Sequence, residues 1–288
     1  MVYNIYIGYD PNNGNDLAWE VCKRSILENT KYPDELNIIK LDKLELQELG
    51  YYKRNDTGID KGSNNFTYTK FFIPFLNNYK GYALFCDSDF IWKSDVYEFI
   101  EQNINDEYAI SCVKHKCYTK KKCLGNQKMD GQIQRWYPRK NWTSLILFNC
   151  ANVKCKLLDF PLLNKANPRW LQGLQWASSF DEKMEKDIES EIDHNIGSLS
   201  YHYNFLFGYY KDIDNAKAIH LTEGGPWFLD WHRGKIPTSD KMVNLWLSYL
   251  TDKETDKLCN DLMDKLNNIT LDEGENKNEI INSIAKMK

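Results

Sequence analysis

The order of the predicted elements indicates an α/β fold. An apolar run at 2–7 predicts a first strand, an amphipathic helix follows it, and 36–41 predicts a second strand. A strand, helix, strand order is typical of a parallel sheet, whose ligands bind at the carboxyl ends of the strands. The short, aromatic-rich run at 82–86 is typical of a buried strand and leads directly into two carboxylates. We therefore expect a sheet with a ligand site at one edge.

Local signals place the other elements along the chain. Asn15 or Asp16 can cap the first helix, and 66–79 predicts a helix that Pro74 kinks or shortens. Asp95 begins a short amphipathic helix. Further strands or apolar runs follow at 108–113, 145–149 and 216–221, and apolar residues at helical spacing predict two C-terminal helices within 241–267.

Composition predicts one main domain with a C-terminal extension. We expect the α/β domain over 1–235, a helical appendage over 236–272 and a partly disordered tail over 273–288. The tail is expected to be disordered because it is charged and rich in asparagine. The sequence contains no internal repeat and no linker that would separate two domains.

The overall composition excludes several classes of protein. The chain has 288 residues and 42% hydrophobic content, which is enough for a well-buried core. A net charge of -4 gives no basic face for nucleic acid. No stretch approaches the roughly 18 apolar residues of a membrane span, and no basic segment followed by an apolar one opens the chain. We expect a soluble, cytoplasmic protein with no membrane span and no nucleic-acid partner, and its oligomeric state is left open.

The two carboxylates after the run at 82–86 are Asp87 and Asp89, with Ser88 between them. Side chains two apart on an extended chain point to the same side, so both can reach one cation. A hard divalent ion held by one or two carboxylates keeps open coordination positions, which phosphate oxygens commonly fill. The motif therefore predicts a metal and diphosphate site, and a solvated turn is the alternative reading of the motif alone.

His220 lies one residue before the end of the apolar run 216–221, and a glycine-rich turn follows that run. A neutral imidazole added to two carboxylates gives a mixed nitrogen and oxygen donor set, which suits Mn²⁺ better than an all-oxygen magnesium site. Taken alone, a structural histidine is the other interpretation of this residue.

Several separated segments share their order with the motifs of one enzyme family, and they lie at 66–71, 87–89, 148–149, 196–204 and 220–227. On these segments the chain resembles the GT-A-fold glycosyltransferases, specifically glycogenin and the retaining family 8. It is also similar to poorly characterised microbial and viral sequences that share 128–132 and 137–142. The resemblance covers about 2–230 and implies a GT-A fold, with a mixed central sheet followed by C-terminal helices.

The resemblance also implies an activity and a set of ligands. It implies a metal-dependent transferase that moves a sugar, with retention, from a nucleotide sugar to a carbohydrate, glycoprotein or other hydroxyl acceptor. The expected donor is a UDP-sugar, and the expected metal is Mn²⁺, with Mg²⁺ as the alternative. The metal would be held by Asp87, Asp89 and His220. Asp87 would also contact the ribose.

Roles for further residues follow from the same resemblance. Tyr9 and Asp10 are candidates to contact uracil and ribose, and Asn149 to contact the donor sugar. Asp130 and Glu223 are conditional candidates for orienting the donor or the acceptor. The resemblance adds a group of expected donor-binding residues, namely Lys70, Ser88, Gly224, Gly225 and Trp227.

The chain departs from the family pattern at one position. The family has a lysine before Pro-Trp that contacts the donor diphosphate, whereas this chain has Gly225 there. Lys70 is the preferred replacement, because it lies in a matched segment, and Arg139, Lys140 and Arg233 are the others. The missing lysine makes a non-catalytic sugar or nucleotide-binding protein the leading alternative function. A metal-dependent phosphodiester or nucleotide-sugar hydrolase is a further alternative, and it would need a better-defined general base than the sequence offers.

Overall fold

The computed structural model describes residues 1–11, 15–57, 62, 64–116, 127–128, 132–133, 139–178 and 195–288. The strands are β1 (Tyr3–Gly8), β2 (Leu36–Leu41), β3 (Tyr82–Cys86), β4 (Phe90–Trp92), β5 (Ile110–Cys112), β6 (Gln127–Lys128), β7 (Gln132–Ile133), β8 (Leu145–Asn149), β9 (Gly197–Ser198), β10 (Phe205–Leu206) and β11 (Ala218–His220). The helices are α1 (Asn15–Asn29), α2 (Lys43–Glu48), α3 (Ile73–Leu76), α4 (Val96–Asn103), α5 (Val153–Lys156), α6 (Phe160–Leu163), α7 (Pro168–Gln172), α8 (Leu229–His232), α9 (Asp240–Leu247), α10 (Asp252–Asn267) and α11 (Lys277–Ala285).

A six-stranded mixed sheet forms the centre, with the strand order β2-β1-β3-β8-β5-β9. Strand β1 pairs in parallel with β2 and β3, whereas β8 runs antiparallel to both β3 and β5. A three-stranded sheet, β10-β11-β4, lies beside it. Since β3 ends at Cys86 and β4 begins at Phe90, the chain passes from one sheet to the other through the Asp-Ser-Asp segment.

Both faces of the central sheet are covered by apolar side chains. On β3, Phe85 packs into one buried cluster while Leu84 and Cys86 pack into another on the opposite face. The alternation is the period of two expected of a strand, and burial on both faces explains why the run 82–86 is apolar throughout. Helices α1 and α4 contribute Cys22 and Phe99 to the second cluster.

The segment around Pro74 differs from its predicted form. It folds into a 3-10 turn at Thr69–Phe72 followed by the short helix α3, and Pro74 lies within the first turn of that helix. Proline fits a first turn because its missing N–H has no intrahelical partner there. The proline therefore helps to begin a helix instead of kinking a longer one.

The C-terminal helices form a third apolar cluster that includes side chains of α1 and β11, such as Val21 and Ile219. The predicted helices within 241–267 are present as α9 and α10. The expectation of a disordered tail over 273–288 is wrong, because α11 is helical and buries Ile280 and Ile284 in this cluster. The two isoleucines are four apart and so share one helix face. In the part of the chain that the structure describes, no helix is both long and apolar enough to span a membrane.

Candidate functional site

Asp87, Asp89 and His220 come together at the junction of the two sheets. One ligand atom from each lies within 4.8 Å of the others, and we call these three residues the acidic group. The β-sheet register explains the arrangement, because His220 pairs with Phe90, the residue that follows Asp89. The two rings stack with centroids 4.5 Å apart, and the Leu221 amide donates to the Asp89 carbonyl at 2.9 Å.

Lys70 holds one side of the acidic group. Its ammonium donates to Asp87 Oδ1 at 3.0 Å and to the Thr143 carbonyl at 2.9 Å. The lysine is only 4% exposed, and its Nζ lies 4.5 Å from the centroid of the Phe85 ring. Burial raises the pKa of the Asp87 carboxyl, and the positive charge of Lys70 opposes that rise. Lys70 therefore compensates the Asp87 charge where water does not.

Asp89 is held less completely than Asp87. Its Oδ1 atom is buried and accepts no hydrogen bond from the described residues, and His220 Nε2 lies 3.2 Å from it. A buried carboxylate oxygen without a partner is unfavourable unless a proton or a cation satisfies it. Two carboxylates and one imidazole form a donor set that fits a divalent ion such as Mn²⁺.

The loop after β1 lies at the same edge of the sheet, because β1 runs parallel to β3. The Asp10 carboxylate accepts from the Asn65 backbone amide at 3.0 Å and from its side chain at 3.1 Å. The Tyr9 hydroxyl donates to Asp16, and Lys40 Nζ lies 4.2 Å from the Tyr9 ring centroid. The structure thus brings Tyr9 and Asp10 to the edge that carries Asp87.

Asn149 does not lie at this edge. In the antiparallel pairing of β3 with β8, Cys86 faces Leu145 while Asn149 faces Tyr82. Four residues of strand correspond to about 13 Å, so Asn149 is at the far end of the sheet from Asp87. The structure therefore does not bring Asn149, the predicted contact of the donor sugar, to the edge that carries Asp87.

The residues before β8 occupy the position that Asn149 does not. The Ser144 carbonyl accepts from the Asp87 amide at 2.9 Å, and the Thr143 carbonyl accepts from Lys70. Asn141 donates through its side chain to the Thr222 hydroxyl at 2.8 Å, which ties this turn to the loop after β11. The polar run before β8 is the sequence signal that could have pointed to these residues. It does so only when β8 is known to run antiparallel to β3, which brings the start of β8 to the edge that carries Asp87.

The glycine-rich turn after His220 is shaped by a tryptophan. Gly224 has φ +115, and a Cβ on Gly225 would lie 2.1 Å from Trp227 Cζ3. The Trp227 ring is 1% exposed and stacks on Trp246 with centroids 5.4 Å apart. Trp227 is thus a core residue, which corrects its assignment to donor binding. A lysine at 225 would require this ring to move.

Two of the cations considered as substitutes for that lysine have other contacts. Arg233 donates to both carboxylate oxygens of Glu275, at 2.8 and 2.7 Å. Arg139 donates to the Gly173 carbonyl at 3.0 Å and to Ser178 at 3.3 Å. Lys140 is buried.

The remaining predicted residues fall inside and outside the described part of the chain. Ser88 is buried between the two carboxylates, and Glu223 accepts from the Tyr209 hydroxyl at 2.5 Å. Asp130 lies outside the described residues. His115 is a buried residue outside the predicted site, and its Nδ1 lies 2.8 Å from the Tyr210 hydroxyl. Burial lowers the pKa of His115 to about 3, so its imidazole is neutral at physiological pH.

Comparison with known proteins places the chain in a family. No protein-family model matches it. Protein CDI from Arabidopsis thaliana is 35% identical over 252 residues, which cover 85% of each chain. The chain belongs to the Protein CDI family.

The fold of this CDI-family chain is shared with a solved structure. The apo structure of the bifunctional glycosyltransferase WbbM superposes with a TM-score of 0.52 at 16% identity, over 85% of this chain and 49% of WbbM. The glycosyltransferase GlyE of Streptococcus pneumoniae TIGR4 gives 0.49 at 13% identity, over 92% of this chain and 64% of GlyE. The chain thus spans about half of WbbM and less than two thirds of GlyE. Its fold is the GT-A fold of nucleotide-sugar glycosyltransferases.

Proposed function

We propose that the chain is a metal-dependent glycosyltransferase that moves a sugar, with retention, from a UDP-sugar to a hydroxyl of a carbohydrate or glycoprotein acceptor. The observation that carries the proposal is the buried Asp89 Oδ1, which accepts no hydrogen bond from the described residues and belongs to the acidic group. A buried polar atom without a hydrogen-bond partner does not stabilise the fold, so it points to a functional role. The shared GT-A fold supports a nucleotide sugar as the ligand.

The roles within the acidic group follow from what each atom already contacts. Asp87 Oδ1 accepts from Lys70, so Asp87 Oδ2 is the atom that we assign to the metal. Asp89 Oδ1 and His220 Nε2, which are 3.2 Å apart, supply the other two ligands. The mixed donor set favours Mn²⁺ over Mg²⁺. A divalent ion bound there supplies charge that stabilises the leaving diphosphate.

Lys70 supplies the second positive charge of the proposed site. Among the described residues, only Asp87 and Thr143 accept a hydrogen bond from its ammonium, so one of its three N–H bonds is left for a diphosphate oxygen. This placement would offset the loss of the family lysine at Gly225. Tyr9 and Asp10, at the carboxyl end of β1, are the proposed contacts for the nucleoside.

A turnover assay tests the proposal. Purified protein is incubated with a panel of UDP-sugars and simple glycoside acceptors, with Mn²⁺ or with EDTA, and both UDP release and sugar transfer are measured. We expect transfer that requires Mn²⁺ and is lost in Asp89→Asn. Binding without turnover would support the non-catalytic alternative, and UDP release without transfer would support a hydrolase. If the protein neither binds nor turns over any of these donors, the proposal is wrong.

A further inference from the structure

A chain of three buried hydrogen bonds leads to the side of His220 that faces away from Asp89. The Ser144 hydroxyl donates to the Asn141 carbonyl at 2.7 Å, and Asn204 Nδ2 donates to Ser144 Oγ at 2.8 Å. Asn204 Oδ1 then lies 2.9 Å from His220 Nδ1. Asn204 is 0% exposed, and Ser144 and His220 are each 2% exposed, so water does not compete for these contacts.

The direction of this chain is fixed at its first member. The Asn141 carbonyl can only accept, so the single hydroxyl hydrogen of Ser144 points to it. Ser144 Oγ can then only accept from Asn204, which places the amide nitrogen of Asn204 toward Ser144 and its oxygen toward His220. An amide oxygen is an acceptor, so His220 Nδ1 carries a hydrogen.

The other imidazole nitrogen is set by this arrangement. With the hydrogen on Nδ1, the neutral imidazole presents a lone pair at Nε2, 3.2 Å from Asp89 Oδ1. Two acceptors that face each other in a buried place are unfavourable until a partner satisfies them, and a cation satisfies both at once. A hydrogen bond to the distal nitrogen of a ligating histidine is the usual means of orienting such a ring.

Ser144 connects the histidine to the first carboxylate as well. Its backbone carbonyl accepts from the Asp87 amide at 2.9 Å, while its hydroxyl begins the chain to His220. One residue before β8 thus holds a ligand from the central sheet and, through Asn204, a ligand from the three-stranded sheet.

We infer that Asn204 is a positioning residue that fixes the hydrogen of His220 on Nδ1 and keeps Nε2 available as a metal ligand. Ser144 sets the orientation of the Asn204 amide. The inference rests on the proposed metal site. Neither residue touches the metal, and their effect is exerted through the orientation and hydrogen placement of the His220 ring.

The test measures binding of Mn²⁺ alone, by calorimetry or by loss of the free-ion electron paramagnetic resonance signal, at one fixed pH. Asn204→Leu keeps the approximate volume but removes the acceptor, and we expect Mn²⁺ affinity to fall about 10- to 100-fold. Asn204→Asp retains an acceptor for Nδ1, so its affinity stays within a few-fold of wild type or rises. A purely structural role for Asn204 would not separate these two variants.

A matched variant controls for lost hydrogen bonds. Asn164 also joins separate segments, since it donates to the Tyr51 carbonyl at 2.9 Å and accepts from the Lys53 amide at 2.6 Å. Asn164→Leu should lower the melting temperature without changing Mn²⁺ affinity. Equal losses of affinity in Asn164→Leu and Asn204→Leu would overturn the inference.

Two further results decide the outcome if Asn204→Leu does not fold. Ser144→Ala removes one oxygen and frees the Asn204 amide to turn, and we expect a loss of Mn²⁺ affinity below tenfold but measurable. Unchanged affinity in Ser144→Ala and in any folded Asn204 variant without an acceptor would overturn the inference. If these variants and Asp89→Asn all bind Mn²⁺ as wild type does, the metal site of the proposed function is itself wrong.

Discussion

The acidic group and the C-terminal helices both hold charged side chains away from water, but only the second region satisfies them fully. Glu275 accepts from Arg233 Nε and Nη2, at 2.8 and 2.7 Å, and from the Asp272 amide at 2.8 Å. In the acidic group, Asp89 Oδ1 accepts no hydrogen bond from the described residues. In the C-terminal helices, an ion pair joins two segments of the chain. In the acidic group, a buried carboxylate oxygen is left for a bound ligand to satisfy.

The pKa shifts of the two regions have opposite signs. Hydrogen bonds from Arg233 lower the pKa of Glu275 to about 2, and Arg24 lowers that of Glu254 to about 2 in the same way. Burial instead raises the pKa of Asp87, against the charge of Lys70. Ion pairs such as Arg233 with Glu275 favour the charged form of the carboxylate and stabilise the fold, whereas Asp87 lies where burial makes its charge unfavourable. That is typical of a site that gives up stability for function.

The largest effect is expected from Asp89→Asn. Loss of one metal ligand removes transition-state stabilisation of several kcal/mol, which is about 1,000-fold in rate. The metal-free variant should be as stable as wild type or more so, because a buried anion is removed. Initial rates at saturating Mn²⁺ and thermal unfolding in EDTA measure the two effects. A near-normal rate would show that Asp89 does not bind the metal.

Lys70→Met tests the ion pair between Lys70 and Asp87, which partly compensates the charge of the acidic group. It leaves Asp87 buried without its cation, which destabilises by about 3–5 kcal/mol when a buried pair is broken from one side. Adding Asp87→Asn removes the uncompensated charge, so the double variant should recover most of the loss. Urea unfolding of the single and double variants gives the coupling energy. Additive losses would mean that the two side chains do not interact as the 3.0 Å contact indicates.

Gly225→Ala probes the turn that lies between the two regions. Its Cβ would meet the Trp227 ring at 2.1 Å, so we expect overpacking that destabilises by about 1–3 kcal/mol. In a Trp227→Phe background the three outer indole atoms that clash are gone, and the same substitution should have a smaller effect. A double-mutant cycle from chemical denaturation measures the difference. An equal effect in both backgrounds would exclude the Trp227 ring as the cause.

The smallest effect is expected from Glu275→Gln, in the closed region. It weakens the contacts with Arg233 and should lower the free energy of unfolding by about 1–2 kcal/mol, with Mn²⁺ affinity unchanged. Because the folded pKa of Glu275 is lowered to about 2, its contribution is complete above pH 4.5 and is lost as pH falls toward 2. The gap in stability between wild type and Glu275→Gln should therefore close over that range. A gap that persists at pH 2 would assign the stabilisation to another contact.

The strand ends of the site could be predicted from sequence, and the direction of one strand could not. Asp87 and Asp89 follow one apolar run and His220 lies at the end of another, so their convergence at strand ends can be predicted from spacing and residue type. Asn149 ends an equally clear run, but β8 is antiparallel to β3, and the run itself carries no sign of direction. The polar residues before β8 therefore lie at the site, whereas Asn149 at the end of β8 does not.

Long-range contacts set the other limits. The tail was expected to be disordered on composition, yet the spacing of Ile280 and Ile284 supplies an apolar face that the third cluster buries. The orientation of Asn204 depends on Ser144 and Asn141, which are distant in sequence and meet it only in the folded chain. The absence of a lysine at 225 is visible in the sequence, whereas its steric reason, the Trp227 ring, is not.

The central claim is that the acidic group binds a metal ion and a nucleotide diphosphate in one shared site. Thermal unfolding is measured with UDP, with Mn²⁺ and with both, in wild type and in Asp89→Asn. Ligand at a hundred times its dissociation constant adds about 2.7 kcal/mol if it binds only the folded state. The account predicts that UDP and Mn²⁺ together stabilise the wild type by more than the sum of their separate effects, and that this excess disappears in Asp89→Asn. Equal stabilisation by UDP with and without Mn²⁺ would contradict it.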